Sequence, residues 1–371
     1  MLAKGQTVIQ LMEKLAPKSY AVEGDKIGLQ LGTLHKEIRK VLVTLDVNEE
    51  VAEEAIREGV DLIIAHHAII YRPLAHLQTD TPAGRLYEKL IKHDIAVYIA
   101  HTNLDVAEGG VNDLMSAALG LADTKPLEVL HSEQLKKLVV FVPETHHERM
   151  LDALFGAGAG AIGGYSHCSF NLPGTGTFLP GEGTNPFLGT KGKLEKAAEV
   201  RVETIVTERD EKRVIQAMRK AHPYEEVAYD VYPLEQTGRA FGLGRVGRLA
   251  ETTSLGAFAE QVKQALDVPF VRVVGSLDRE IRKVAVLGGS GGRYVRHALF
   301  AGADVLVTGD IDYHTAQDAL AAGLALVDPG HNAEKILKAG VAAYLSEELQ
   351  KLKTDTAVQA SAVDTEVFRF L

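Results

Sequence analysis

The chain holds one cysteine, Cys168, among 371 residues. That excludes an intrachain disulfide, and it excludes a zinc site built from several thiolates. Cys168 reads as a small buried residue. No apolar run approaches the roughly 18 residues of a membrane-spanning helix. A basic excess is also missing: 40 Lys and Arg stand against 50 Asp and Glu, a formal net charge of −10. With no basic run, nucleic acid is not expected as the main partner. The N-terminus, "MLAKGQTVIQLMEKLAPKSYAVEGD", lacks a signal-peptide apolar region and a small-residue cleavage site. The expectation is a cytoplasmic protein with no membrane partner.

What is present begins with length. A chain of 371 residues exceeds one typical core, so two or more domains are expected. A repeat lies inside it. Residues 40–67 read "KVLVTLDVNEEVAEEAIREGVDLIIAHH", and residues 283–310 read "KVAVLGGSGGRYVRHALFAGADVLVTGD". Each opens with Lys-Val and an apolar strand, passes through a helix-like middle and a Gly-x-Asp, and ends in a second apolar strand. Lys40 to Asp61 is 21 positions, and so is Lys283 to Asp304. The pattern predicts two related βαβ units. A further strand follows each, at 94–105 and 323–334. These short uninterrupted apolar runs suit strands covered by helices on both faces. The expected fold class is α/β: residues 1–130 and 240–371 form one discontinuous layered domain with a mainly parallel sheet. Residues 131–239 differ in texture. Their order is βαββαβ, with a first helix opened by a Thr145 cap, and predicts an inserted ferredoxin-like domain.

Ligand-type residues gather where the strands stop. "DLIIAHHAII" ends a buried strand in His66 and His67. "AHTNLD" supplies His101, Asn103 and Asp105; "DPGHNAE" supplies Asp328, His331 and Glu334; "TGDIDYH" supplies Asp310, Asp312 and His314. The carboxyl edge of an open α/β sheet is where ligands bind. Imidazoles mixed with carboxylates suit zinc, iron, manganese or nickel. The cluster exceeds the needs of one tetrahedral ion, so two ions are expected, bridged by Asp105 or Glu334. The glycine-rich "LGGSGGRY" at 287–294 follows a strand but matches neither the dinucleotide fingerprint nor the P-loop. It reads as a phosphate-cradling turn or as a close backbone approach to the site.

With these residues in view, the chain resembles the Nif-three-like family of dinuclear-metal hexamers, also called GTP cyclohydrolase type 2 homologs. The resemblance rests on "GDKIGLQLG" (24–32), "IIAHHAIIYRPL" (63–74), "AHTNLD" (100–105), "LGGSGG" (287–292), "TGDIDYH" (308–314) and "DPGHNAE" (328–334). It implies two divalent metal ions per chain, zinc foremost, held by His66, His67, Asp105, His331 and Glu334. It implies a homohexamer, a dimer of trimers around a cavity. Many shorter members place the glutamate four residues after the last histidine. Here the gap is three, as in the longer bacterial branch with a PII/CutA-like insert, which fits 131–239.

Two function classes follow. One is a metal-dependent hydrolase acting on a small substrate, of which a GTP cyclohydrolase-type nucleotide reaction is one form, with His101 or His314 as proton shuttles. The other is a non-catalytic metal or nucleotide sensor, or a metal chaperone.

Overall fold

Side chains alternate along three short strands, and that alternation sets the layers. The structure, a computed structural model, describes residues 1–369. In Lys40–Thr44, Leu62–Ala65 and Ala96–Ile99 every residue but Lys40 is buried. Val41, Val43, Leu62, Ile64, Ala96 and Tyr98 enter one apolar cluster. Leu42, Ile63, Ala65, Val97 and Ile99 enter another on the opposite face. This is the period-two pattern of strands with helices on both sides. The three strands pair in parallel. Gly28–Leu31 adds antiparallel at one edge, and Ala357–Ala360 adds parallel at the other.

Glu280–Ser290, Val305–Gly309 and Ala325–Asp328 repeat the arrangement in a second sheet. Val284, Val286, Val305, Val307, Ala325 and Val327 enter the same central cluster as the first sheet, while Ala285, Leu306 and Leu326 face outward into a separate one. Helices Gly5–Leu15, Leu255–Ala265 and Leu337–Lys351 fill the centre with Val8, Ile9, Phe258, Val262 and Leu345. The fold is thus mixed α/β with more than one sheet, where the sequence pattern suggests a single layered one. Arg272–Val274 lies antiparallel at one edge, and the stretch Arg245–Ser254 pairs antiparallel with Glu280–Ser290.

The matched spacing of the repeat has a physical cause. The Asp61 carboxylate accepts from the N–H groups of Arg39 and Lys40 at 2.7 and 3.3 Å. The Asp304 carboxylate accepts from those of Arg282 and Lys283 at 2.9 and 2.7 Å. Each aspartate starts a second strand while pinning the start of the first. The aspartate N–H also returns to the lysine carbonyl, at 3.0 Å from Asp61 and 2.8 Å from Asp304.

The chain divides into two compact units, Met1–His131 with Phe241–Leu371, and Ser132–Ala240. In the second unit, Glu195–Thr207 lies between Ser169–Phe178 and residues 135–143, antiparallel to both. Residues from Tyr229 onward take the other side of 135–143. Helices His147–Gly156 and Glu211–Ala221 bring Met150, Leu154, Val214 and Met218 against Leu138, Val140, Val200 and Val202. Thr145 does not cap the first of these helices. A 3-10 turn, Glu144–His146, intervenes and leaves the helix without a side-chain cap. Cys168 is half-buried rather than buried. Among the described residues, no helix is long and apolar enough to cross a membrane.

Candidate metal centre

Where Leu62–Ala65 ends, strict alternation ends too. The N–H groups of His66 and His67 both reach the Leu45 carbonyl, at 3.2 and 2.9 Å. Two successive side chains therefore leave the same sheet edge, with rings 5.2 Å apart. His101 and Asp105 follow the next strand, Asp105 within the short helix Thr102–Val106. From the second sheet, Ala325–Asp328 leads into the 3-10 turn His331–Ile336. About three residues per turn make positions i and i+3 eclipse in such a turn. The three-residue spacing of His331 and Glu334 thus puts both on one side, with Nε2 and Oε2 3.4 Å apart.

Four imidazoles are held at Nδ1. His66 Nδ1 lies 2.8 Å from the Ala100 carbonyl, His67 Nδ1 2.6 Å from Asp46, His101 Nδ1 2.9 Å from Asp25, and His331 Nδ1 2.7 Å from Asp310. With an oxygen acceptor at each Nδ1–H, the Nε2 lone pairs are free to bind at the centre. Outer hydrogen bonds orient metal-binding histidines in this way.

The inner atoms form two groups that share Glu334. Oε1 faces His66 Nε2 at 3.8 Å, and His66 Nε2 lies 3.6 Å from Asp105 Oδ1. Oε2 faces His67 Nε2 at 3.3 Å and His331 Nε2 at 3.4 Å, and those two nitrogens are 3.3 Å apart. Ligands about 2.1 Å from one tetrahedral ion stand about 3.4 Å from each other. The atoms of His67, His331 and Glu334 stand 3.3–3.4 Å apart, at that spacing, and those of His66, Asp105 and Glu334 all lie within 4.8 Å of one another, as do ligand nitrogens of His66, His67 and His101. His66 Nε2 and Asp105 Oδ1 are buried with no hydrogen-bond partner. Two orphaned buried atoms aimed at each other are costly unless a third group joins them. The residues therefore fit a metal ion.

Electrostatics agree. Burial raises the Asp105 carboxyl to about 6, against the pull of His66. Burial should lower His67, yet its hydrogen bonds to Asp46 and Glu334 lift it to about 10. His331, bonded to Glu334, rises to about 9 against its own burial. Glu334, though buried, is held well below the usual carboxylate range by His331 and His66. Without a cation, this cluster holds protons where a metal would bring charge.

The glycine motif serves close approach. A Cβ on Gly288 or Gly289 would stand 2.8 Å from Glu334 Oε1. The Gly288 N–H donates to the Asn112 side-chain oxygen Oδ1 at 2.9 Å, and Asn112 Nδ2 donates to the Asp105 carbonyl at 2.9 Å.

Other strand-end residues have different work. His314 is exposed at the start of helix Tyr313–Ala321, its N–H on Asp312 and its ring against Tyr313, and it stands outside both groups. Asp312 caps that helix by accepting from the N–H groups of His314 and Thr315. Asp328 is paired with Arg272 and accepts from the Ile311 N–H at 3.1 Å. Asn103 accepts from the His101 N–H at 3.0 Å and donates to the Ala16 carbonyl. Asp46 and Asp25 are not among the residues that the sequence pattern singles out. Asp46 stands just past the end of Lys40–Thr44, at the same carboxyl edge, and that position was the available signal.

A cavity of about 870 Å³ opens beside His67 and His331. Leu45, Val47, Phe270 and Phe368 give it apolar walls, and Asp46 and Asp310 lie where it meets the histidines.

Comparison with known proteins places this geometry in context. Residues 3–366 match the family described as Duf34/NIF3 (NGG1p interacting factor 3). A Halalkalibacterium halodurans protein named GTP cyclohydrolase 1 type 2 homolog is 58% identical over 370 residues, spanning 100% of both chains. A Bacillus subtilis protein of the same name is 56% identical, covering 99% of this chain and 98% of its own. The crystal structure of a Bacillus cereus protein related to NIF3 superposes with a TM-score of 0.93 at 53% identity, covering 100% of both chains.

Proposed function

The chain belongs to the Duf34/NIF3 family, and on that premise we propose that it is a dinuclear-metal protein that hydrolyses a small organic substrate. The observation that carries this reading is Glu334, whose two carboxylate oxygens face two separate ligand groups. In this reading His66 and Asp105 would hold one ion and His67 and His331 the other, with Glu334 offering one oxygen to each group. Zinc is the first choice for such nitrogen and oxygen donors, with iron, manganese and nickel also suited. When bound, two such ions supply Lewis acidity and lower the pKa of water.

The chain's own residues do the rest. Ala100, Asp46 and Asp310 fix the direction of the His66, His67 and His331 rings. His101, oriented by Asp25 at Nδ1, is placed to move a proton at Nε2. His314, exposed and outside both ligand groups, is given no role in this reading. The cavity beside His67 and His331 admits a small molecule with an apolar portion. The names of the relatives make a purine nucleotide the first substrate to test. Elemental analysis of untagged protein reconstituted with zinc, manganese or iron should give two ions per chain. A metabolite-library turnover screen on that protein then tests hydrolysis. No turnover by a fully loaded protein would favour a sensor or metal chaperone.

We read Ser132–Ala240 as a ferredoxin-like insert, supported by its strand order and its helices on one sheet face. The family resemblance adds a hexamer of two stacked trimers. Light scattering coupled to gel filtration tests it, and a monomer or dimer at micromolar concentration would defeat it.

A further inference from the structure

After its last strand, Ala357–Ala360, the chain runs on with neither helix nor strand through Arg369. This segment is tied down at successive points. Ser361 Oγ and the Ala362 N–H donate to the carboxylate of Glu54, which is buried. Lys338 Nζ donates to the Val363 carbonyl at 2.9 Å, and Asn332 Nδ2 donates to Asp364 Oδ1 at 2.7 Å. Thr365 Oγ1 then donates to Asp46 Oδ2 at 2.5 Å. The other Asp46 oxygen takes His67 Nδ1 at 2.6 Å.

A carboxylate with a partner on only one oxygen can swing about its side-chain bonds. One with both oxygens engaged is fixed, and so is the ring it holds. The two ligand groups differ in this support. His66 is held by a backbone carbonyl, Ala100, at the end of a sheet strand. His67 hangs on a side chain that is itself braced by the C-terminal segment.

We propose that Thr365 is a positioning residue for one of the two metal positions, the one formed by His67, His331 and Glu334, and that the C-terminal segment is part of the metal centre. The inference rests on the dinuclear reading above. Thr365 touches no ligand atom. It acts through Asp46, keeping the His67 ring turned so that Nε2 meets His331 and Glu334. The segment continues as Glu366, Val367 and Phe368, which line the cavity beside that same position.

The test compares wild type with Thr365→Val, which keeps the shape and removes the hydroxyl, and Thr365→Ser, which returns it. Each metal-free protein is titrated with zinc by calorimetry, and retained zinc is counted after dialysis. Loss of an outer-shell partner costs about 10–100-fold in metal affinity. Thr365 acts one bond beyond such a partner, so the expected result is that T365V binds one zinc equivalent up to about tenfold more weakly and the other as wild type does, and that T365S recovers both. A T365V protein holding two ions at wild-type affinity would overturn the role of Thr365 and leave the dinuclear reading standing. Equal weakening of both ions would overturn the selectivity. Wild-type protein that takes up none of zinc, manganese and iron would sink the dinuclear reading itself. A readout free of metal guards the test: in crystals of metal-free T365V the His67 ring should leave its single orientation, and an unchanged ring held by Asp46 would count against the proposal.

Discussion

Residues 40–67 and 283–310 share a scaffold and differ in what they offer at its edge. Each opens with a lysine whose N–H, with that of the arginine before it, is pinned by an aspartate 21 positions after the lysine, and both bury alternate residues into one central cluster. The first ends in His66 and His67, two side chains that reach inward. The second passes through Gly288 and Gly289, which have no side chain, and so lets Glu334 come close. The first segment contributes donors itself; the second contributes room for Glu334, a donor that follows the next strand of its own sheet. A repeat can therefore conserve its hydrogen-bonded frame while the residues at its strand ends diverge completely, because the frame never depends on them.

The largest effect should come from the residue that joins the two edges. Glu334→Gln keeps shape and removes charge. If Glu334 bridges two ions, both should be lost or weakened together, with circular dichroism unchanged. Loss of one ion alone would make Glu334 a terminal ligand, and retention of both would remove it from the centre.

The donor edge was legible in the sequence because His66, His67, His101, Asp105, His331 and Glu334 are residue types with few reasons to crowd several strand ends. Their supports were not. A lone aspartate at a strand end reads equally as a turn former, so Asp46 and Asp25 did not stand out. Asp328 had the right type and place, yet Arg272, 56 residues earlier, claims it for an ion pair. His314 likewise follows a strand end, but the helix it starts carries its side chain into solvent. The alternation of the strands was legible too. That the two βαβ segments build separate sheets around shared helices was not, since pairing partners are set by tertiary packing rather than by local pattern.

Gly288→Ala probes the other edge. Its Cβ would press on Glu334 Oε1 at 2.8 Å, tighter than ordinary contact. Zinc affinity should fall by about tenfold, the scale of a displaced supporting contact, while the midpoint of thermal unfolding changes little. Wild-type affinity in G288A would mean that the edge has slack and that close approach is not what the glycine supplies.

Acidity should separate the centre from the frame. Metal-free His67 and His331 have folded values of about 10 and 9, above their ordinary 6.5. Their protonated forms therefore stabilise the metal-free fold fully below about pH 6.5, and that stabilisation is lost as pH rises through 9 and 10. Metal must displace those protons, so zinc affinity should rise with pH over the same range. Thermal unfolding from pH 6 to 10 should show the metal-free midpoint falling and the loaded one holding. Parallel curves would mean that these histidines are not the groups that bind the metal.

The smallest effect is a difference between two matched variants, and it asks how far the repeat is energetically a repeat. Asp61→Ala and Asp304→Ala each remove a carboxylate that accepts from two backbone N–H groups. Hydrogen bonds to a charged acceptor are worth about 1.5–3 kcal/mol each, less where water can replace the acceptor, so each variant should lose on the order of 2 kcal/mol. The two aspartates differ in their side-chain partners: Asp61 also holds the Arg39 guanidinium at 2.8 Å. The Arg39 side chain is largely exposed, and exposed pairs contribute little and are screened by salt. D61A should therefore be only slightly worse than D304A in dilute buffer, and the gap should close at about 1 M salt, where the screening length falls to about 3 Å. Denaturant unfolding at both salt concentrations measures this. A large gap that persists in salt would mean that the two aspartates carry unequal loads, and that the shared spacing reflects strand length rather than a shared energetic role.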